Sequence, residues 1–153
     1  LTWTIEPEPP RQDDVLALLA QADAYLHALY PPESNHILDV CALEQAGIDF
    51  FVARRHGAAL GCCALVPAPD GSAEIKRMFV APRARGIKLG RRLLERLEDQ
   101  ARARGIATLR LETGIYQPEA LGLYRACGYR DIDPFGSYLP DPLSIFMEKT
   151  LGA

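Results

Sequence analysis

Apolar positions change period several times along the chain, and each change marks an element. Val15, Leu18, Leu19, Ala22, Leu26 and Leu29 recur at the spacing of one helix face. Asp13 or Asp14 is placed to cap that helix, and Tyr30-Pro31-Pro32-Glu33-Ser34-Asn35-His36 ends it in a loop. Ahead of it, Thr2 to Ile5 reads as a short strand broken by Glu6 to Pro10. A second short helix is expected from Leu38 to Ala46. Asp49 to Arg54 then reads as a strand, Arg55-His56-Gly57 as a turn, and Ala58 to Val66 as a strand rich in small residues and buried on both faces. Pro67 to Ser72 contains Asp-Gly and makes a hairpin loop, and the strand Ala73 to Val80 follows, ended by Pro82.

Leu89, Leu93, Leu94 and Leu97 restore the helical period, and Gly105 stands where a terminating glycine belongs. Ala107 to Thr113 alternates, with Leu109 and Leu111 facing one way and Arg110 and Glu112 the other. Pro118 can open a helix that runs to about Cys127 and stops at Gly128. Tyr129 to Ile132 and Leu143 to Lys149 complete the strands, with a proline-rich loop, Phe135 to Pro142, between them.

The chain has 153 residues, a length that suits one domain spanning 1–153, and 48% of them are apolar, enough for a packed core. No run of 18 apolar residues is present, so no membrane partner is expected. The start, LTWTIEPEPPRQDD, lacks the regions of a signal peptide, and a soluble cytoplasmic protein is the expectation. Cys41, Cys62, Cys63 and Cys127 form no CxxC spacing and read as free core thiols. His27, His36 and His56 show no ligand spacing with them, so no metal site is expected.

Charge changes the picture at one place. The net charge is −3, yet Arg83, Arg85, Lys88, Arg91 and Arg92 put +5 into ten residues, leaving −8 for the rest. This asymmetry argues against nucleic acid as partner. It fits a cationic small molecule approaching an acidic surface, or simply a solvated acidic surface. The basic stretch lies between a strand and a helix start, where unpaired N–H groups and the helix dipole favour an anion such as phosphate.

Val80-Ala-Pro-Arg-Ala-Arg-Gly-Ile-Lys-Leu-Gly-Arg-Arg-Leu-Leu resembles the acetyl-CoA-binding motif of the GNAT N-acetyltransferases, Arg/Gln-x-x-Gly-x-Gly/Ala after a strand. Arg85 and Gly90 match it; Lys88 replaces the first glycine. Lys88 is expected in the helical first turn, with Gly86 supplying flexibility. Gln117-Pro-Glu-Ala-Leu-Gly-Leu-Tyr-Arg-Ala-Cys-Gly-Tyr resembles the family's Asn-x-x-Ala-x-x-Leu-Tyr-x-x-x-Gly-Phe/Tyr, with Ala120, Leu123, Tyr124, Gly128 and Tyr129 matching and Gln117 in place of Asn. The two motifs stand in the family's order, and the resemblance covers about Phe50 to Lys149. Glu112-Thr-Gly, Phe135-Gly-x-Tyr and Asp141-Pro-Leu-Ser resemble bacterial members described as indoleacetate-related acetyltransferases, a label that fixes no substrate.

The resemblance implies an α/β GNAT acyl-CoA N-acyltransferase fold, a mixed twisted sheet of about seven strands with helices on both faces. It implies acetyl-CoA as co-substrate and transfer of the acetyl group by direct attack of a small-molecule amine. The backbone of Met78, Phe79 and Val80 would hold the pantetheine arm. Arg85, Gly86, Ile87, Lys88, Leu89, Gly90 and Arg91 would grip the pyrophosphate, and Gln117 would contact the cofactor. Tyr124 matches the usual general acid, against a bland alternative as a tyrosine packed at the core edge. Glu74 and Glu112 are candidate bases, beside an ordered water relay and against the alternative of an exposed or salt-bridged strand residue. Glu112 is the better placed, near its strand's end. Tyr30, Glu33, Asn35 and His36 are candidate acceptor contacts, with capping roles in a polar loop as the alternative. A nucleophilic Cys127 is not expected, because no histidine base neighbours it.

Two rival readings are open. A non-catalytic acyl-CoA-binding regulatory module would keep the basic loop and have no need of Tyr124. An unrelated nucleotide-phosphate protein would need a Gly-Lys-Ser/Thr ending that is absent. The acceptor, the acyl chain and the oligomeric state, a homodimer included, are left open.

Overall fold

A computed structural model describes residues 3–152. In chain order the elements are β1 (Thr4–Pro7), α1 (Asp13–Leu29), α2 (Val40–Leu43), β2 (Asp49–Arg55), β3 (Ala58–Pro67), β4 (Ala73–Val80), α3 (Leu89–Ala103), β5 (Thr108–Gly114), α4 (Pro118–Ala126), β6 (Arg130–Ile132) and β7 (Ser144–Thr150). The strands form one sheet in the order β1-β2-β3-β4-β5-β7-β6. Among the described residues β4 and β5 pair in parallel and the other five pairings are antiparallel.

The two adjacent cysteines of β3 show how the layers form. Cys63 Sγ faces the Leu93 carbonyl of α3, at 3.9 Å. Cys62 Sγ donates to the Arg77 carbonyl at 3.2 Å and lies within the field of Asp23 on α1. Successive strand residues point to opposite faces, so α3 covers one face of the sheet and α1 the other. On the α3 side, Leu89, Leu93, Leu94 and Leu97 are fully buried against the sheet, with Leu109, Leu111 and Met147 also inside. Full burial of each such side chain contributes roughly 1.5–3 kcal/mol.

Several boundaries differ from the sequence reading, each for a local reason. β1 continues through Glu6 and Pro7, which pair with Val52 and Phe51; an edge strand tolerates a proline because half its N–H groups face away from the ladder. Thr2 lies outside the described residues. Gln12, not Asp13 or Asp14, is the N-cap of α1, without a side-chain cap bond; the two aspartates sit in the first turn, where they favour the dipole. α2 is only four residues long, capped by Asp39, whose Oδ1 accepts from the Ala42 N–H at 2.9 Å. Cys62 and Cys63 are buried, but Cys41 is exposed and Cys127 half-buried, so two of the four free thiols are not core residues.

The feature that opens the sheet is a bulge in β4. The β3–β4 register shifts between Cys62 and Ala64, and Arg77 there has φ +57°. A bulge bends its strand. Beyond Ala73↔Leu109 and Glu74↔Arg110, β4 and β5 no longer pair. Left-handed backbone costs an arginine roughly 1–3 kcal/mol. Its buried guanidinium offsets this by bonding to Asp23 at 2.6 Å and to the Leu19 carbonyl at 3.3 Å, both on α1.

Candidate active site

The chain leaving β4 turns through Pro82–Ala84, passes Arg85 in extended conformation, and enters α3 at Leu89. Gly86 has φ +85° and Lys88 φ +61°. Lys88 is thus not in the helical first turn, contrary to expectation: it is the left-handed N-cap, a conformation that costs a lysine roughly 1–2 kcal/mol. Gly86 and Lys88 thus place two left-handed residues among the three that precede α3. The backbone N–H groups of residues 86–91 find no acceptor among the described residues; the Arg92 N–H is the next to bond, to the Lys88 carbonyl at 3.2 Å. Free donors before and in the first turn of a helix are an arrangement that favours an anion.

A groove of about 260 Å³ runs along Met78, Phe79 and Val80, over Arg85, Gly86 and the start of α3, to Gln117, Ala120, Leu123 and Tyr124 of the α4 region. Lys88 and Arg91 add positive charge to its wall. Arg85 donates to the Val80 carbonyl at 3.3 Å and lies over the Tyr25 ring at 5.9 Å. A Cβ on Gly90 would stand 2.8 Å from Leu123, so the glycine lets α3 and α4 close on each other beneath the groove. Leu89 turns its side chain into the core and offers only its backbone. Ile87 is exposed and is not part of the groove wall.

A second cavity of about 120 Å³ fills the gap where β4 and β5 part, and it shares Tyr25, Met78, Phe79, Gln117 and Tyr124 with the groove. Glu112 and Tyr124 both line it. Glu112 is largely buried, and burial lifts its carboxyl from the ordinary value to about 7, with the Ser144 hydroxyl at 2.9 Å and Lys76 acting in the opposite direction. Burial also raises the Tyr124 phenol, which therefore stays protonated at neutral pH and is available as a donor. Burial pushes the Cys62 thiol up to about 12 and raises that of Cys127 as well.

The remaining expected residues divide. Asn35 and His36 line the inner cavity, while Glu33 is exposed and faces a larger outer cavity of about 1070 Å³. Tyr30 lines the inner cavity, but its hydroxyl is engaged: it donates to Gln117 Oε1 at 3.2 Å and accepts from the Tyr116 N–H at 3.0 Å. It thereby ties α1 to the β5–α4 turn. Asn35 Nδ2 donates to the Tyr30 carbonyl, in keeping with the local capping alternative. Glu74 belongs to the outer cavity, where its carboxylate accepts from the Tyr138 hydroxyl and lies 3.6 Å from Lys76 Nζ. Glu112 is thus the carboxylate that lines the inner cavity.

Three site residues escaped the sequence reading. Lys76 stands between the two cavities, its Nζ donating to the His36 carbonyl at 2.7 Å and to Tyr138 at 2.9 Å. Strand alternation with Glu74 was a signal for it. Tyr138 and Ser144 come from the β6–β7 connection and the start of β7, where no periodicity points to a site. Among the described residues no cluster of three or more His, Cys, Asp or Glu is arranged to hold a metal ion. No helix there is long and apolar enough to cross a membrane.

A mixed sheet that splays between its fourth and fifth strands, with an anion cradle at the helix start beside the splay, defines an acyl-CoA N-acyltransferase fold. The family model "Acetyltransferase (GNAT) family" matches residues 14–129, and the chain belongs to that family of acetyltransferases. It is 54% identical over 149 residues to the IAA acetyltransferase of Azospirillum brasilense, covering 97% of each chain. It is 38% identical, with a TM-score of 0.83 and 99% coverage of both chains, to a Klebsiella pneumoniae crystal structure assigned as an acyl-CoA N-acyltransferase. A GNAT acetyltransferase from Elizabethkingia anophelis with acetyl-CoA bound shares the fold at a TM-score of 0.68 and 21% identity, over 97% of this chain and 98% of that one.

Proposed function

We propose that the protein transfers an acetyl group from acetyl-CoA to the amine of a small molecule by direct attack, with Glu112 as base and Tyr124 as acid. The observation that carries this reading is the adjacency of the two spaces, which share Tyr25, Met78, Phe79, Gln117 and Tyr124 as walls. A groove walled by Gly86 and by Lys88 to Arg91, whose N–H groups find no acceptor among the described residues, adjoins a cavity lined by a carboxyl group poised near neutrality and a protonated phenol.

Acetyl-CoA, when bound, supplies the thioester that is the acetyl donor. The N–H groups of residues 86–91, with Arg85, Lys88 and Arg91, hold the diphosphate. The parted edge of β4 at Met78, Phe79 and Val80 offers its backbone to the pantetheine arm as an added strand would. An N–H on this edge polarises the thioester oxygen, a contribution of about 3 kcal/mol for a well-placed donor. Glu112 takes a proton from the acceptor ammonium, freeing the lone pair that attacks the carbonyl carbon. Tyr124 gives its phenolic proton to the departing sulfur, so CoA leaves as the thiol; the nitrogen's second proton returns to the phenolate, which leaves the acceptor as a neutral amide and Tyr124 protonated again. A carboxyl that titrates near 7 is suited to the first task, because a base works best when its pKa lies close to the working pH.

The test is thiol release from acetyl-CoA over a panel of primary amines, with mass analysis of the products. The expected result is turnover with at least one amine and an acetylated amine as product. Thiol release that is independent of every amine, with no acetylated product, would remove the amine-transfer reading.

A further inference from the structure

We infer that Ser144 is a positioning residue for Glu112, holding one carboxylate oxygen so that the other is left to take the acceptor's proton. The inference rests on the reading of Glu112 as the base.

Glu112 sits on β5 and Ser144 opens β7. The pairs Glu112↔Phe146 and Gly114↔Ser144 make the two side chains diagonal neighbours on one face. Ser144 Oγ donates to Glu112 Oε2 at 2.9 Å, and no other hydrogen-bond donor reaches this carboxylate among the described residues. Oε1 therefore has no hydrogen-bond partner among the described residues.

The hydroxyl is held in place from behind. The Ser144 N–H bonds to the Asp141 carbonyl at 3.0 Å. Asp141 Oδ1 accepts from the Leu143 N–H at 2.8 Å, and its Oδ2 accepts from Ser34 Oγ at 2.7 Å. The turn 141–144 is thus locked to the loop that follows α1, and Ser144 is locked with it. Gly114 opposite has no side chain, and the space a Cβ would take is filled by the Tyr30 ring, 1.9 Å from that point to the hydroxyl oxygen. A larger residue at 114 would displace Tyr30 beside the Glu112–Ser144 pair.

A donor bonded to the charged form favours that form. The other groups that act on Glu112 come from every neighbouring element: Lys76 and Glu74 on β4, Asp141 and Tyr138 in the β6–β7 connection, Tyr124 on α4 and Tyr30 just after α1. Lys76 favours the ionised form, while Glu74 and Asp141 oppose it. Ser144 alone among them makes a hydrogen bond to the carboxylate, so its loss shifts the titration and frees the carboxylate to rotate.

The experiment follows the Glu112 carboxyl carbon by NMR against pH in cofactor-free protein, in the parent, Ser144→Ala and Ser144→Thr. The expected midpoint is about one pH unit higher in Ser144→Ala and restored in Ser144→Thr. The acidic limb of kcat/KM then moves up equally, so Ser144→Ala is nearly tenfold slower than the parent at pH 6. If Ser144→Ala does not fold, Ser144→Cys keeps the volume with a weaker donor and gives a smaller upward shift. Midpoints that coincide in all variants overturn the inference. Glu112→Gln separates the two readings. If the acidic limb survives in Glu112→Gln, the base assignment fails and this inference fails with it. If the limb vanishes there but Ser144→Ala moves neither midpoint nor limb, Ser144 alone is excluded.

Discussion

At the scale of single residues, the site costs stability to build. Glu112 has a folded-state pKa of about 7 against an ordinary 4.5, chiefly through burial. The sign follows from which form the fold prefers: the neutral acid is at home in the cavity, and ionisation is opposed. The penalty is absent below about pH 4.5, grows between 4.5 and 7, and is complete above 7. Two to three pKa units correspond to roughly 3 kcal/mol. Glu112→Gln is therefore expected to lose acetyl transfer while gaining stability over the parent. The gain should be near zero at pH 4.5 and about 1–3 kcal/mol at pH 8 by urea unfolding. Tyr124→Phe is expected to lower kcat by about a hundredfold with acetyl-CoA affinity within twofold, measured by steady-state kinetics and calorimetry. Unchanged turnover would remove Tyr124 from the acid role.

These two residues were legible in the sequence for different reasons. Tyr124 stands in a local motif, Leu-Tyr at fixed spacing before Gly128-Tyr129, so neighbours in the chain were enough. Glu112 was visible as the polar member of an alternating strand, but its preference over Glu74 was not settled. What separates them is a contact 64 residues away in sequence, where Tyr138 takes the Glu74 carboxylate. Ser144 closes the Asp141-Pro-Leu-Ser motif, but its partner was not readable there: the contact with Glu112 exists only because β7 lies beside β5.

At the scale of elements, helices and strands followed the local apolar period and were readable to within a few residues. The two places that shape the site were not. Arg77 and Lys88 both adopt left-handed backbone that their side chains do not advertise. Arg77 is held there by Asp23 and Leu19, 54 and 58 residues away, so no local pattern encodes it. Gly114 is a third case. An Ala at this position puts a Cβ 1.9 Å from the Tyr30 hydroxyl, and Tyr30 is what ties α1 to the β5–α4 turn. Gly114→Ala is expected to destabilise by about 1–3 kcal/mol in urea unfolding, and adding Tyr30→Ala should recover part of that loss. Fully additive effects would mean that the two groups do not collide. At the groove, Arg85→Ala is expected to weaken acetyl-CoA binding about tenfold at low salt and less at high salt, because part of its contribution is screened. Unchanged affinity by calorimetry would count against Arg85 as a phosphate ligand.

At the scale of the molecule, one bulge and one loop organise everything else. The bulge at Arg77 parts β4 from β5 and opens the inner cavity, and the loop that follows presents unpaired N–H groups at its outer end. The claim that joins them is that residues 86–91 bind the diphosphate with their backbone amides. The most direct measurement is the amide spectrum of labelled protein titrated with acetyl-CoA. The expected result is that the amide protons of Gly86, Ile87, Lys88, Leu89, Gly90 and Arg91 shift together and become protected from exchange, while those in the middle of α3 stay put. Acetyl-CoA binding that leaves those six amides unshifted would contradict the account.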